Sequence, residues 1–469
     1  MRDILEEAAA HPIKSQNSSL MKAQIQIERV DERFHLHSLE SLINGNDTDS
    51  FVRLSTAREE GALIHNPDGG VRAGTLSSLI ETLTSYGHVD PIFSRTFLMT
   101  YKSFASPDEV LNLLFERYRM EPPAGLTKAE QEEWSKLKQH VIRSRVLNTL
   151  KSMVMVDDVL EDDRHVMDRV SSFLHEPDVA MSPGAKNLLA TVERKRNGGW
   201  FSHIPPPIFP AGITNDESKD KLNLLKIDPL ELARQLTLKE SGCYRGIRPT
   251  DCLRHFGGRK SGKTDDCLTF ILQLNKKVMN WVNASILAEV DVERRAAMLS
   301  HFISIGDCCR LLQNYSTMAA IVMALLSSPI NRLKKTWNEI DGQTMSQLIL
   351  CESVLDAPRN YATCRNTLAS INPPCVPFLG VYLTSLSFIH NGIEDKLPGD
   401  LVNFGKQQRI ADVIREILYW QTKDYDLGLL PPVMIFLEDT LASFDGDVVS
   451  EDQFHSLSLD REPSCGDYM

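Results

Sequence analysis

Residues 370–421 read SINPPCVPFLGVYLTSLSFIHNGIEDKLPGDLVNFGKQQRIADVIREILYWQ, and this stretch decides how the second half of the chain folds. The apolar residues Leu379, Leu383 and Leu386 recur at i, i+4 and i+7, the spacing of one face of a helix. A second apolar face follows, made of Ile410, Val413, Ile414 and Ile417. The spacing therefore predicts two amphipathic helices.

Turn-forming residues separate these two helices. Asn372 precedes two prolines, which drive it out of the helical region, so the first helix starts after it. The Asn-Gly pair at 391–392 and the Leu-Pro-Gly-Asp stretch at 397–400 interrupt the helical pattern. Two helices joined by a short polar loop form an antiparallel helical hairpin. Its tip carries Phe388 and Ile389, two apolar residues with no evident core to enter.

Helical patterns extend outward from the hairpin over most of the chain. The helical pattern begins at Val71, and Leu76, Leu79, Ile80 and Leu83 form its first apolar stripe. Three helix starts pair a capping residue with a glutamate three positions later: Ser106 with Glu109, Thr127 with Glu130, and Asp228 with Glu231. The stretch 318–326 is apolar all round and predicts a buried helix. Because strand-like alternation is scarce, the predicted fold class is all-α.

Composition divides the chain into four segments. Residues 1–70 form a polar, partly ordered lead-in, and residues 71–195 form a first helical domain. Residues 196–226 contain Gly-Gly and Pro-Pro-Pro and read as a linker, before a second and larger helical domain over 227–464. We leave open whether the sequence is an excerpt of a longer protein.

Bulk composition excludes several classes of protein. A length of 469 residues with 42% hydrophobic and 24% charged residues predicts a globular protein of two or three domains. The net charge of -12 argues against nucleic-acid binding, which needs a basic surface. The N-terminus has no secretory signal, and no apolar run approaches the roughly 20 residues of a membrane span. The nine cysteines form no C-x-x-C pair or metal-ligand spacing, so we expect reduced thiols in a cytoplasmic protein without a bound metal.

One nucleotide-binding motif is present but lacks its structural context. Residues 257–264, GGRKSGKT, fit the phosphate-loop pattern G-x-x-x-x-G-K-[ST], in which Lys263 would contact phosphates and Thr264 a magnesium ion. That geometry needs a buried strand before the loop, and residues 251–256 read DCLRHF, which is not an apolar strand. We therefore interpret the segment as a basic loop between helices.

Longer motifs identify a family. Residues 372–384 fit N-P-P-C-V-P-[FY]-[FL]-G-x-Y-L-[ST], and residues 401–406 fit [LI]-[IV]-N-F-x-K. Both are hallmarks of the catalytic hairpin of the Ras guanine-nucleotide exchange factors, which this segment resembles. Other stretches resemble the same family in its order, namely 230–237, Asn275, 281–282, 314–316, 327–333 and 458–463. Upstream, residues 74–104 resemble the N-terminal Ras exchanger motif, so the resemblance covers most of 71–464.

The resemblance implies a fold and a function. An N-terminal exchanger-motif domain would pack on a larger helical catalytic domain from which the hairpin protrudes. The protein would release GDP from a Ras-family small GTPase and so allow GTP to bind, without covalent chemistry and without a cofactor. It would bind the nucleotide-free GTPase better than the loaded one, and would meet GDP and GTP only through that partner. We expect a cytoplasmic protein, with recruitment to the plasma membrane left open.

The resemblance also assigns candidate residues by position. The wedge that displaces the first switch and disrupts the phosphate and magnesium site of the GTPase would be formed by Leu386, Ser387, Phe388, Ile389 and Asn391. The other residues predicted to contact the GTPase, some of them at its second switch, are Met323, Leu326, Asn360, Tyr361, Phe378, Asn403 and Lys406.

The tip departs from the family at two positions. Several animal members have a glutamate where this chain has Asn391, and some have a leucine where it has Ser387. Charge repulsion at the tip would then be weaker, or would come from Glu394 and Asp395, so we expect a mechanical wedge to dominate. Two alternatives stay open: a scaffold that binds a GTPase without exchanging its nucleotide, and a nucleotide-binding enzyme that uses Lys263. The resemblance favours Ras over Rap or Ral as the partner.

Overall fold

A computed structural model describes residues 63–155, 163–196, 223–256, 266–356, 359–444 and 451–463. Helices make up most of these residues, which confirms the all-α prediction. Within the described part, no helix has the length and apolar character needed to cross a membrane. The phosphate-loop-like segment 257–264, most of the predicted linker and nearly all of the predicted lead-in lie outside the described residues.

The first half of the described chain contains a strand pair followed by helices. Its elements are β1 (Leu63–His65), β2 (Val71–Gly74), α1 (Leu76–Leu83), α2 (Pro91–Thr100), α3 (Pro107–Tyr118), α4 (Lys128–Trp134), α5 (His140–Met155), α6 (Arg164–Leu174), α7 (Pro177–Ala180) and α8 (Pro183–Arg196). Both predicted capping boxes are present here: Ser106 with Glu109 opens α3, and Thr127 with Glu130 opens α4. Each box satisfies two backbone N–H groups that the first helical turn leaves unpaired.

The second half is a larger set of helices interrupted by one more strand pair. Its elements are α9 (Pro229–Tyr244), α10 (Pro249–Phe256), α11 (Cys267–Ala288), α12 (Val292–Leu311), α13 (Tyr315–Leu325), α14 (Ser328–Asn331), α15 (Lys334–Asn338), α16 (Gly342–Leu355), α17 (Ala362–Ser370), α18 (Gly380–Gly392), β3 (Lys396–Leu397), β4 (Leu401–Val402), α19 (Phe404–Tyr419), α20 (Pro431–Ala442) and α21 (Glu451–Arg461). The capping box predicted at the start of α9 is incomplete. Asp228 accepts from the N–H of Leu230, but the carboxylate of Glu231 accepts from the side-chain amide of Gln235.

Two hydrophobic cores run through these helices. The smaller core joins the buried faces of α1 to α3 and α5 to α8, and it also includes Val402 and Phe404 from the hairpin region. The larger core extends from Ile227 to Phe454. Helix α13 lies at its centre, where all its residues except Met323 are buried, as its apolar sequence predicted. The hairpin therefore contributes side chains to both cores.

A small antiparallel sheet differs from the sequence prediction. Its order is β1-β2-β4-β3, with Gly74 opposite Val402 and Leu397 opposite Leu401. The helical pattern predicted to begin at Val71 was wrong over 71–74, since these residues form β2. In β2, Val71 is buried and Arg72 is exposed, as expected for a strand with one covered face.

The carboxyl group of Glu240 is fully buried in the larger core. Glu240 of α9 accepts a hydrogen bond from the hydroxyl of Thr317 of α13, and neighbouring Asn314 bonds to Thr237 and Thr317. Burial raises the pKa of Glu240 above its usual 4.5, although hydrogen bonds from its neighbours act in the opposite direction. This network joins α9 to α13 at the middle of the core.

A second buried carboxyl group fixes the end of the described chain. Glu462 accepts from the backbone N–H groups of Lys335 and Thr336, both at 2.9 Å, and from Arg295 Nη2 at 3.3 Å. Burial alone would raise the pKa of Glu462, but these hydrogen bonds outweigh it and hold the pKa below 4.5. Arg332 adds bonds to the carbonyls of Ser458 and Glu462. Residues 458–463, which resemble the family's ending, thus hold the end of α21 against α15.

Candidate functional site

The predicted helical hairpin is present, with α18 and α19 as its two helices. The connection between them contains the strand pair β3 and β4, where a short polar loop was expected. Gly399 and Asp400 turn the chain with positive φ angles of 88° and 61°, a conformation that suits glycine and that aspartate tolerates. The tip is therefore a short β-ribbon in place of an irregular loop.

The exposed apolar residue of the wedge segment is Phe388. It is 67% exposed on α18, whereas Leu386 is 3% exposed and belongs to the larger core. Leu386 therefore supports the helix from inside the core, and its predicted contact with a GTPase stays a prediction. Ile389 is half-buried and packs against the same core, contrary to the expectation that it finds none. Burial thus distinguishes the members of the predicted wedge segment from one another.

The polar residues of the wedge segment lie near the end of α18. Ser387 is half-buried, and its hydroxyl accepts from the side-chain amide of Asn391 at 3.3 Å. Asn391 and Glu394 are exposed, and the carboxylate of Asp395 lies 2.7 Å from the ammonium of Lys406. Asp395 is therefore partly neutralised, which leaves Glu394 as the more available of the two tip carboxylates.

Lys406 and Asn403 bind the connection and do not point outward. The side chain of Lys406 is 2% exposed, and its ammonium donates to the carbonyls of His390 at 3.0 Å and Ile393 at 2.7 Å. Asn403 caps α19 by accepting from the N–H of Lys406, and its amide donates to the carbonyl of Glu394. The charged end of Lys406 is thus buried inside the hairpin, and its predicted contact with a GTPase stays a prediction.

The hairpin is supported from behind by the first half of the chain. The rings of Phe93 in α2 and Phe404 in α19 lie 4.7 Å apart, within the smaller core. The hydroxyl of Ser103 donates to the amide oxygen of Gln407 at 2.8 Å. Together with the pairing of β2 and β4, these contacts hold α19 along its first turns. At the base, Trp420 donates to the hydroxyl of Tyr382, and so joins α19 to α18.

Partly exposed apolar side chains lie on α13 and α16, two helices that pack against each other. Met323 and Leu326 at the end of α13 are partly exposed, unlike the rest of the apolar stretch 318–326, and their contact with a GTPase stays a prediction. Ile349 and Leu350 on α16 are 58% and 50% exposed, and α16 packs on α13. Sequence reasoning did not identify these two residues. The signal was available, because Leu348, Ile349 and Leu350 are consecutive and a helix cannot bury three successive side chains on one side.

The loop before α17 connects this surface to α18. Asn360 and Tyr361 both have positive φ, at 54° and 56°, which is uncommon for a tyrosine. The ring of Tyr361 packs edge-on against Phe378, with centroids 5.5 Å apart. Arg365 donates to the carbonyls of Asn360 and Val381, and so connects the loop to α18. The predicted residues Asn360, Tyr361 and Phe378 are thus brought together.

Two protein-family models match the sequence in the order of these elements. The RasGEF N-terminal motif matches residues 70–173, and the RasGEF domain matches residues 231–408. The chain belongs to the RasGEF family. The RasGEF domain match begins in α9 and ends in the first turns of α19, so it includes α13, α16, α18 and the tip. In this RasGEF chain the small sheet joins β2, from the N-terminal motif, to β4, from the domain.

Similar full-length proteins are known from fungi and an insect. The chain is 32% identical over 417 residues to cell division control protein 25 of Candida albicans, covering 86% of this chain and 31% of that protein. It is 31% identical to the guanine nucleotide exchange factor SDC25 of Saccharomyces cerevisiae, covering 86% and 34%. It is 30% identical to the protein son of sevenless of Drosophila melanogaster, covering 84% and 27%. The RasGEF chain thus spans about a third of the length of these relatives.

Proposed function

We propose that this chain is a guanine-nucleotide exchange factor for a Ras-family GTPase, with the hairpin of α18 and α19 as its wedge. The observation that carries the proposal is Phe388, a large apolar side chain left 67% exposed on a helix that is held at its base and from behind. Exposed apolar residues on a rigid support are typical of protein-binding surfaces. The name of the SDC25 relative as an exchange factor supports the same reading.

The mechanism requires differential binding and no covalent step. A Ras-like GTPase keeps its nucleotide through contacts of its switch segments with phosphate and magnesium. A wedge that occupies the space of the first switch binds the nucleotide-free state more tightly than the loaded state, and so shifts the GTPase toward release. The apolar side chains of Met323, Leu326, Ile349 and Leu350 would bind the partner beside the wedge. No residue of this chain needs to contact GDP or GTP except through the partner.

The charges at the tip indicate whether the wedge acts on the GTPase by steric displacement or by charge repulsion. Asn391 carries no charge, and Asp395 is paired with Lys406. Phe388→Ala removes the exposed ring, and a binding contact of this kind contributes about 2 kcal/mol, or roughly 30-fold in kcat/KM. Asn391→Ala removes only a neutral amide, so its effect should stay within about threefold.

The test is GDP release measured with a fluorescent GDP analogue. Ras, Rap and Ral proteins are loaded and mixed with excess GTP, with wild-type chain, Phe388→Ala or Asn391→Ala. Met181→Ala, an exposed apolar residue in the turn after α7, is the matched control. If no GTPase is accelerated by the wild-type chain, the exchange function is wrong. Stable binding of a GTPase without acceleration would identify a scaffold. Binding of the labelled nucleotide by this chain alone would point to Lys263.

Cytoplasmic location and membrane recruitment stay predictions.

A further inference from the structure

The carboxyl end of α18 has an unusual arrangement of backbone acceptors. The last carbonyls of a helix lack partners within it, and a glycine in the left-handed region commonly closes such an end. Here the chain leaves α18 at Ile393 in an extended conformation, with φ at -127° and ψ at 128°. The N–H of Ile393 bonds to the carbonyl of Ile389, and the next carbonyls need donors from elsewhere.

Two residues of α19 and its cap supply those donors. The ammonium of Lys406 bonds to the carbonyls of His390 and Ile393, while Asn403 bonds through its side-chain amide to that of Glu394 and through its backbone N–H to that of Asp395. Four carbonyls between positions 390 and 395 are thus held by two residues. A positive charge at a helix carboxyl end is also favoured by the helix dipole.

Open space lies next to Lys406 on one side of the hairpin. A cavity of about 530 Å³ lies at the junction of α10, α18 and α19, and its lining includes Leu386, His390 and Lys406. Without the ammonium, the carbonyls of His390 and Ile393 would face this space, and the tip could move into it. An unsatisfied buried carbonyl is unfavourable, so the helix end would rearrange.

We propose that Lys406 is a positioning residue for nucleotide exchange: it closes the end of α18 and thereby fixes Phe388 and the ribbon at the tip. Its action is through the helix end and not through contact with the GTPase. The proposal rests on the proposed exchange function, and it accounts for a lysine within the motif N-F-x-K whose charged end is buried.

The test compares Lys406→Met with Lys423→Met in the full chain. Both remove one lysine charge, but Lys423 is exposed and follows the end of α19, away from the tip. Lys406→Met should lower kcat for GDP release by roughly tenfold to a hundredfold, the cost of a misplaced group, with KM within about twofold. Lys406→Arg should recover part of the loss, and Lys423→Met should behave as wild type. A higher KM at unchanged kcat would make Lys406 a GTPase contact and overturn the proposal.

A double-mutant cycle separates positioning from general destabilisation. If Lys406 acts through Phe388, adding Phe388→Ala to Lys406→Met should cause little further loss, because residues that work as one unit are non-additive. Additive losses would refute the proposal. Hydrogen exchange gives a readout without any GTPase: in Lys406→Met, peptides covering 388–396 should lose protection while those of α12 and α13 keep it. If the wild-type chain accelerates no GTPase, the proposed function fails, and unchanged protection at 388–396 would independently overturn the role of Lys406.

Discussion

Replacing Glu462 by glutamine should destabilise the chain strongly at neutral pH and much less in acid. The substitution keeps the shape of the side chain but removes the charge that faces Arg295, whose side chain is fully buried. It also places an amide N–H₂ or a single oxygen where two backbone N–H groups now donate. Removing one partner of a buried ion pair costs about 3–5 kcal/mol, since the other charge is left uncompensated.

The pH dependence follows from the direction of the pKa shift. The folded state holds the pKa of Glu462 below its usual 4.5. Its contribution is therefore complete above pH 4.5 and is lost as pH falls through 4.5 toward the folded pKa. The difference between wild type and Glu462→Gln should be largest near neutral pH and should shrink in acid.

Thermal unfolding over a series of pH values measures this difference. For a domain of this size, 1 kcal/mol shifts Tm by about 2–4 °C, so a loss of 3 kcal/mol predicts a decrease of about 6–12 °C near neutral pH. Glu176→Gln is the matched control, because Glu176 pairs with Arg119 at the surface and exposed pairs contribute about 0–1 kcal/mol. A decrease of the same size for both variants, or one that does not change with pH, would refute the reasoning.

For Glu240→Gln, the difference in stability from wild type should change with pH in the opposite direction. Burial raises the pKa of Glu240 above 4.5, so the wild-type protein loses stability as pH rises from 4.5 to the folded pKa. The variant should therefore gain relative to wild type as pH increases, measured by the same unfolding series; a relative loss would contradict the assigned direction. Replacing Ile349 and Leu350 together by serine should raise KM for the GTPase roughly tenfold with little change in kcat, because these two side chains are exposed on α16, which packs on α13. Release kinetics over a range of GTPase concentrations check this, with exposed Leu311→Ser as control, and an unchanged KM would exclude α16 from the interface.

The sequence predicted the helices that have a long apolar pattern or a local capping signal. The stripe of Leu379, Leu383 and Leu386 located α18, and the same spacing implied that Leu386 is buried. The resemblance nevertheless placed Leu386 among the wedge residues, because position in a motif does not state orientation. Capping boxes at Ser106 and Thr127 located α3 and α4, since their signal is local.

Features that depend on distant contacts were not predictable. Strands of two residues, such as β3 and β4, are too short to show alternation, and β2 becomes a strand by pairing with β4 far along the chain. The resemblance assigned Lys406 to the contact with a GTPase, and nothing in the sequence marks it as buried, because lysine is rarely buried without a partner. The ammonium of Lys406 bonds to the backbone carbonyls of His390 and Ile393. The amino-acid sequence does not show which backbone carbonyls lack a donor.

The pairing of β2 with β4 makes the hairpin a joint product of both halves of the chain. Val402 and Phe404 complete the smaller core, so a fragment that starts after residue 222 would expose these side chains and an unpaired strand edge. Such an edge invites self-association. The two halves are therefore not interchangeable parts: an N-terminal half transplanted from a relative must match β4 and Phe404 as well as its own helices. A sequence change near Phe93 or Gly74 can therefore alter the position of the hairpin.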